Sequence, residues 1–200
     1  MKFTLKVLFI LTSLSILISS GCTQHFPFDK SLTQKNYKLL NQDSTAVTFP
    51  SIIKNKITVM GFIYTDCPDI CPLTTHNMQL VEEELDKEGI TDINYVLLSF
   101  DPNRDRPDVL KKFGDIRDID FSKWNLLTGE SDVVSELLKR FEITTIFTDS
   151  TYSDDGELSY SIMHTDRIAL IDQDTNLRKY YRGSKVNISE LVDDVKQLGD

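Results

Sequence analysis

The strongest constraint on the fold is an apolar run that leads directly into two closely spaced cysteines. The run, Ile57–Tyr64, has the length and the β-branched character of a buried strand. It is followed by Asp66-Cys67-Pro68-Asp69-Ile70-Cys71-Pro72. Because proline is tolerated only near the start of a helix, a helix that contains Pro72 begins about one residue before it. We therefore predict Cys67 in the entry loop and Cys71 near the first helical turn.

This placement favours thiol chemistry. The first turn of a helix has unpaired N–H groups and the positive end of the helix dipole, and both stabilise a thiolate. Residues four apart on a regular helix have Cβ atoms about 5–6 Å apart, whereas a disulfide needs about 3.5–4.5 Å. A loop position for Cys67 removes that obstacle, so Cys67 and Cys71 can hold either a metal ion or a disulfide bond.

The N-terminus is typical of an exported protein. Lys2 and Lys6 flank the start of an apolar stretch that ends in Ser19-Ser20-Gly21-Cys22, which indicates a secretory signal with a lipoprotein cleavage site. The stretch is shorter than the ~20 apolar residues of a membrane-spanning helix. Bacterial lipoproteins usually carry Leu, Ile or Val where this chain has Ser19, so an uncleaved anchor remains the alternative.

From these features we predict a signal peptide over residues 1–21, a flexible tether over 22–36 and a globular domain over 37–200. Cys22 is the expected lipidation site. In either case the domain is expected to be membrane-anchored on the extracytoplasmic, periplasmic side.

Charge and cysteine content exclude several classes of function. The formal net charge of −9 argues against a nucleic-acid partner, because no large basic face is available to neutralise phosphates. If Cys22 is lipidated, only Cys67 and Cys71 remain as thiols, which excludes four-cysteine zinc and iron–sulfur sites within one chain. Three roles remain for the pair: a redox pair, a structural disulfide, or part of a metal site that also uses non-thiol ligands. Export to an oxidising compartment favours the structural disulfide.

The order of apolar runs predicts an α/β protein with one central mixed sheet. A strand that leads into a cysteine-bearing helix start is typical of a thioredoxin-like fold. The region 144–159 is polar and irregular, and we interpret it as a long functional loop or an inserted hairpin. The other predicted elements are an N-terminal hairpin (37–40 and 46–49), helices at 72–88, 107–113 and 131–138, strands at 56–64, 93–100 and 124–127, and a C-terminal hairpin (167–171 and 178–181) followed by a helix from 188.

His164 is the third candidate functional residue. It lies 93 positions after Cys71, just before a predicted strand. In a thioredoxin-like fold the entrance of that strand borders the start of the cysteine-bearing helix. A lone histidine is often only a surface or core residue, so its position by itself leaves both interpretations open.

Three motifs together resemble the Sco/SenC family. They are Gly61 to Pro72 with its CPDICP core, Asp101-Pro102-Asn103-Arg104-Asp105-Arg106-Pro107, and His164-Thr165. Members of this family are membrane-anchored copper proteins with a thioredoxin-like fold. The resemblance implies that Cys67, Cys71 and His164 are copper ligands, and that the partner is the binuclear copper subunit of a cytochrome c oxidase.

The first hypothesis is therefore a copper metallochaperone that binds Cu(I) and Cu(II) and delivers copper to that subunit. Soft thiolates select Cu(I) and imidazole suits either copper state. Zinc also accepts such ligands, although the family resemblance favours copper. We expect Met78 and Met163 to pack in the core rather than to bind the metal.

Two alternatives belong to other classes. A thiol–disulfide oxidoreductase would use Cys67 and Cys71 as a redox pair to reduce the cysteines of that subunit or of another exported copper protein. The sequence does not indicate which thiol attacks. A peroxiredoxin-like or purely structural domain is the second alternative, but Pro68 and Asp69 beside Cys67 do not form a recognisable peroxidase site.

Overall fold

The computed structural model describes residues 29–152 and 158–199. Within these ranges the strands are β1 (Lys30–Ser31), β2 (Tyr37–Asn41), β3 (Ala46–Phe49), β4 (Ile57–Ile63), β5 (Ile93–Ser99), β6 (Trp124–Thr128), β7 (Thr145–Tyr152), β8 (Leu158–His164), β9 (Ile168–Ile171) and β10 (Asn176–Tyr181). The α-helices are α1 (Ile70–Lys87), α2 (Pro107–Asp115), α3 (Ser131–Arg140) and α4 (Ile188–Gly199).

The main sheet is mixed, as predicted. Its strand order is β1-β10-β9-β4-β5-β6-β2-β3. The three strands β4, β5 and β6 are parallel neighbours, while β9 pairs antiparallel with the other side of β4. The helices α1 and α2 connect the parallel strands, because parallel neighbours need a long crossover. This is the predicted thioredoxin-like arrangement.

The central strands are buried on both faces. Every residue of β4 and β5 is buried, which is typical of parallel strands covered by helices on both sides. At Gly61 the helix α1 comes so close that a Cβ atom would lie 2.7 Å from Sδ of Met78. The close packing of α1 on β4 fixes where the loop between them, and hence Cys67, lies.

Both predicted hairpins are present. The N-terminal hairpin of β2 and β3 lies at one edge of the sheet, beside β6. The C-terminal hairpin of β9 and β10 lies on the other side of β4, and α4 follows it. Within the polar region 144–159, the described residues 145–152 and 158–159 belong to a further hairpin, the β7–β8 hairpin, in which β7 and β8 form a separate two-stranded sheet. Of the two interpretations of that region, the inserted hairpin is therefore the correct one.

The predicted tether overlaps the packed domain. Lys30 and Ser31 pair with β10, and Leu32 is completely buried. The expectation of a flexible segment as far as residue 36 is therefore wrong for these residues, because the sheet provides a partner for their backbone and the core takes up Leu32. The predicted signal peptide and residues 22–28 of the tether lie outside the described residues. Among the described residues, none of the helices has the length and apolar character needed to cross a lipid bilayer.

Candidate metal centre

The two cysteines lie where β4 meets α1. Cys67 is in the connecting loop and is 9 % exposed, whereas Cys71 is in the first turn of α1 and is 0 % exposed. The backbone N–H of Cys71 donates to Sγ of Cys67 over 3.4 Å. This N–H has no partner inside the helix, so it is free to stabilise a thiolate. The helix begins at Ile70, one residue before the start predicted from Pro72.

A buried carboxylate holds the loop that carries Cys67. Asp105 accepts hydrogen bonds from the backbone N–H and the hydroxyl of Thr65, at 3.0 and 2.5 Å, and from the hydroxyl of Ser99 at 2.5 Å. Burial raises the pKa of Asp105 above its usual value. Asp105 belongs to the motif 101–107, and its role is structural because it fixes the chain at Thr65, two residues before Cys67.

His164 reaches the cysteines from the β7–β8 hairpin. It is the last residue of β8, and its Nε2 lies 3.6 Å from Sγ of Cys71. Its Nδ1 lies 3.0 Å from the carbonyl oxygen of Thr165. A neutral imidazole that donates its Nδ1 proton to this carbonyl keeps the Nε2 lone pair available for a metal ion. The ring of Phe100 packs against the imidazole at a centroid distance of 4.5 Å.

A second carboxylate attaches the chain after His164 to α1. Asp166 accepts hydrogen bonds from the backbone N–H of Ser184 at 3.0 Å and from its hydroxyl at 2.6 Å, and Thr74 of α1 donates to it over 3.4 Å. A Cβ atom on Gly183 would lie 2.6 Å from Oγ1 of Thr74 and 2.8 Å from Oδ1 of Asp166. The absence of a side chain at Gly183 therefore allows this close contact.

The three predicted donor residues converge in space. One ligand atom from each of Cys67, Cys71 and His164 lies within 4.8 Å of the other two. Atoms bonded to one ion at about 2.0–2.3 Å lie about 3.5–4.5 Å apart, so little movement is needed for all three to share an ion. Two sulfurs and one imidazole nitrogen suit soft or borderline metals such as copper and zinc. The donor set therefore fits a copper ion.

The thiols differ strongly in acidity. The hydrogen bond from Cys71, supported by His164 and the backbone N–H groups of Cys71 and Asp69, lowers the pKa of Cys67 to about 3 against the opposing effect of burial. The same hydrogen bond, burial and the charge on Cys67 raise the pKa of Cys71 far above its usual value. Burial lowers the pKa of His164, but hydrogen bonds to Cys67 and to the carbonyl of Thr165 outweigh it and leave that pKa raised.

Among the described residues, His76 is not one of the clustered donors. Cys22 lies outside the described residues. His76 is exposed on α1. Met78 is completely buried, as expected, but Met163 is 63 % exposed, so the prediction that it packs in the core is wrong. Met163 pairs across the hairpin with Ile146, which is also exposed at 53 %.

Several residues that support the site were not predicted. Tyr64 accepts a hydrogen bond from the backbone N–H of Ile162 over 3.4 Å and so connects the end of β4 to β8. Arg104 bridges the loop of Cys67 and the hairpin of His164. The signal for Arg104 was its position in the motif 101–107. Nothing in the sequence around Tyr64 identifies it as a residue that supports the site.

Comparisons with known proteins agree with this geometry. The structure of a SCO1/SenC family lipoprotein from Bacillus anthracis is 28 % identical, with a TM-score of 0.73 over 88 % of this chain and 99 % of that one. Bradyrhizobium japonicum ScoI with copper bound is 26 % identical, with a TM-score of 0.67 over 82 % and 98 %. BsSco, a Sco-family cytochrome c oxidase assembly protein in which a disulfide switch was identified, is 27 % identical, with a TM-score of 0.67 over 86 % and 95 %.

The family assignment rests on most of the chain. The family model described as SCO1/SenC matches residues 27–200. This range includes the cysteine loop, the turn motif 101–107 and His164. The chain belongs to the SCO1/SenC family.

Proposed function

We propose that this protein is a copper metallochaperone. The observation that carries the proposal is the convergence of Cys67, Cys71 and His164, whose donor atoms lie within 4.8 Å of one another. Family membership and the copper-bound relative from Bradyrhizobium japonicum support copper as the cargo. Two thiolates and a neutral imidazole give a Cu(I) site with a single negative charge and a neutral Cu(II) site, so one donor set accommodates both states.

The difference in burial between the sulfurs gives a route for transfer. Cys67 is 9 % exposed and Cys71 is 0 % exposed. An incoming thiolate of an acceptor protein therefore reaches copper from the side of Cys67. The acceptor replaces the ligands of this protein one at a time, and the ion is never released into water. The proposed acceptor is the copper-binding subunit of a cytochrome c oxidase, because a relative of similar fold is a cytochrome c oxidase assembly protein.

We also propose that the domain is tethered to a membrane on its extracytoplasmic side. The support is the sequence pattern that ends in Cys22, together with the description of the Bacillus anthracis relative as a lipoprotein. Mass spectrometry of the protein from a membrane fraction tests this point. A diacylglyceryl group on Cys22 is the expected result, and an unmodified Cys22 would contradict lipidation.

Copper titration of the reduced protein tests the proposed site. The wild type is expected to bind one copper ion and to show intense sulfur-to-copper charge-transfer absorption. We expect Cys67→Ser and Cys71→Ser to lose that absorption, and His164→Ala to weaken Cu(II) binding. His76→Ala is the matched control, because His76 is an exposed histidine on the same helix as Cys71. If His164→Ala keeps the wild-type stoichiometry and affinity, His164 is not a ligand.

A second candidate function is thiol–disulfide exchange, which the low pKa of Cys67 and the free thiol of Cys71 favour. The thiolate of Cys67 would attack a disulfide of the partner, forming a mixed disulfide and releasing one partner thiolate. The thiol of Cys71 would then lose its proton and attack Sγ of Cys67, which releases the second partner thiolate. The partner gains two electrons and this protein ends with a Cys67–Cys71 disulfide.

A trapping experiment tests the exchange reaction. Cys71→Ser retains the attacking thiol and lacks the resolving one, so it is expected to accumulate the mixed disulfide with an oxidised acceptor domain. Cys67→Ser is the control and should trap no partner. Equal trapping by both variants would contradict the assigned roles.

A further inference from the structure

One arginine connects the two halves of the proposed copper site. The guanidinium of Arg104 donates to Asp101 through Nε at 2.5 Å and to Asp66 through Nη1 at 3.0 Å. The same Nη1 also donates to the backbone carbonyl of Tyr160 at 3.2 Å. The plane of the guanidinium stacks on the ring of Tyr160 at 3.6 Å from its centroid. Arg104 therefore contacts three separate segments of the chain.

The positions of these contacts matter for the site. Asp66 directly precedes Cys67, and Tyr160 lies four residues before His164 on β8. The hydroxyl of Tyr160 donates to the same carboxylate group, that of Asp101, over 2.7 Å. Asp101, Arg104 and Tyr160 thus form a closed cluster, which we call the Arg104 clamp, between the cysteine loop and the histidine-bearing hairpin.

The site depends on such a contact because the cysteines follow a strand of the main sheet, whereas the histidine belongs to the separate two-stranded sheet. The cysteines follow β4 of the main sheet, whereas His164 ends β8 of the separate two-stranded sheet. No β-ladder among the described residues joins the two sheets. After His164, the chain is held by the bonds of Asp166 to Thr74 and Ser184 and by β9. Before His164, β8 is held against the cysteine loop by side-chain contacts, of which the Arg104 clamp is one and the bond from the N–H of Ile162 to the hydroxyl of Tyr64 is another.

The burial of the clamp indicates that its geometry is fixed. The side chain of Asp101 is 1 % exposed and that of Arg104 is 24 % exposed. The Nη2 atom of Arg104 is buried and has no hydrogen-bond partner among the described residues. The guanidinium is therefore held by stacking and by its other bonds, despite the unfavourable burial of one donor. A lysine keeps the charge but has no planar fork to reach two carboxylates and a carbonyl at once.

We infer that Arg104 is a positioning residue that holds His164 at bonding distance from the thiolates. The inference rests on the proposed copper site. Cu(I) is soft and is satisfied by two thiolates, whereas Cu(II) depends more on the imidazole nitrogen. Loss of the clamp therefore weakens the Cu(II) form selectively and leaves the Cu(I) form close to wild type. Arg104 in this way sets the balance between the two copper states.

The test compares Arg104→Lys with Arg106→Lys. Arg106 is a matched control because it lies two residues further on, is 67 % exposed and pairs only with the exposed Asp108 among the interactions described. For Arg104→Lys we expect a fall of about 10–100-fold in Cu(II) affinity, the usual effect of losing a group that supports a ligand. Cu(I) affinity should stay close to wild type. The reduction potential of the copper should rise by about 59 mV for each tenfold fall in Cu(II) affinity relative to Cu(I) affinity.

Two further readouts separate positioning from general destabilisation. The nitrogen hyperfine coupling of bound Cu(II) should weaken in Arg104→Lys and stay unchanged in Arg106→Lys. In the metal-free protein, the amide of Ile162 should exchange faster with solvent in Arg104→Lys only. Equal losses of Cu(I) and Cu(II) affinity with unchanged nitrogen coupling would overturn the inference, since they indicate a merely structural role.

The outcome also distinguishes this inference from the proposed function. Wild-type protein that binds no copper through sulfur refutes the metallochaperone proposal, and amide exchange in the metal-free variants still tests the clamp. Wild-type protein that binds copper as proposed, with Arg104→Lys indistinguishable from Arg106→Lys, refutes the inference about Arg104 alone.

Discussion

At the scale of single residues, the two cysteines have different roles because their surroundings differ. Cys67 is the less buried sulfur and accepts hydrogen bonds from several donors. Cys71 is fully buried and acts as one of those donors. The sequence leaves open which thiol attacks a partner. The structure favours Cys67, since it combines the lower pKa with the greater exposure.

Alkylation of the reduced, metal-free protein tests this assignment. The pKa of Cys67 is about 3, so its thiolate fraction and its alkylation rate should be nearly constant from about pH 5 to about pH 8, where an ordinary thiol with a pKa of about 8.5 becomes steadily more reactive. Cys71→Ala removes the largest cause of the low pKa and should move the onset of reaction to higher pH. A wild-type rate that rises tenfold per pH unit would contradict the assignment.

The candidate donor residues could be identified from the sequence, but the residues that hold them in place could not. The spacing and the prolines of Cys67 and Cys71 indicate a thiol site, whereas the place of His164 before a predicted strand leaves its role open, and only the family resemblance implies that it is a ligand. Asp105 and Asp166 act through contacts with residues far away in the sequence, and nothing in the local pattern identifies their partners. A resemblance can identify such residues as part of a motif, while their physical role appears only in the folded chain.

At the scale of elements, strongly periodic segments were predicted well. The buried runs that became β4 and β5 and the proline-marked starts of α1 and α2 appear within one or two residues of their expected positions. The β7–β8 hairpin was harder to predict, because much of it is polar and its apolar residues are divided between the core and solvent: Ile162 is buried, whereas Ile146, Phe147 and Met163 are exposed. Met163 illustrates the difficulty. Successive residues of a strand point to opposite faces, so the burial of the neighbouring Ile162 places Met163 on the outward face, where it pairs with the exposed Ile146.

The 3₁₀ turn of residues 183–185 is an element whose packing can be tested by one methyl group. In Gly183→Ala the new Cβ atom would lie 2.6 Å from Oγ1 of Thr74 and 2.8 Å from Oδ1 of Asp166. We expect the free energy of unfolding to fall by about 1–3 kcal/mol, the usual cost of overpacking. Chemical denaturation of the variant and the wild type measures this free energy of unfolding.

Gly199→Ala is the control for this experiment. The nearest atom to a Cβ at that position is 3.8 Å away, which is an ordinary contact. Its free energy of unfolding should match that of the wild type. Equal stabilities for Gly183→Ala and Gly199→Ala would show that the turn and α1 are not packed as described.

At the scale of the whole molecule, the alternation of strands and helices was sufficient to predict one central mixed sheet with hairpins at both ends of the domain. It did not predict the position of the N-terminal boundary. Lys30 and Ser31 have no sequence pattern that distinguishes a short edge strand from a linker, and only the open edge of β10 gives them a partner. The separation of the site's ligands onto two sheets was likewise invisible, since it follows from how β7 and β8 pair.

In the proposed function, this division of the molecule separates the two sulfur donors from the nitrogen donor. The cysteines are held by the rigid main sheet and α1, and His164 is supplied by a hairpin attached through the Arg104 clamp and the contacts of Tyr64. The net charge of −9 suits association with a positively charged face of an acceptor protein.

X-ray absorption spectroscopy at the copper edge is the most direct test that three donors from two sheets bind one ion. For the wild type loaded with one Cu(II), we predict two sulfur neighbours and at least one imidazole nitrogen. The sulfur neighbours should persist and the imidazole signal should be lost in His164→Ala. A first shell without sulfur, or an imidazole signal that survives in His164→Ala, would contradict the proposed site.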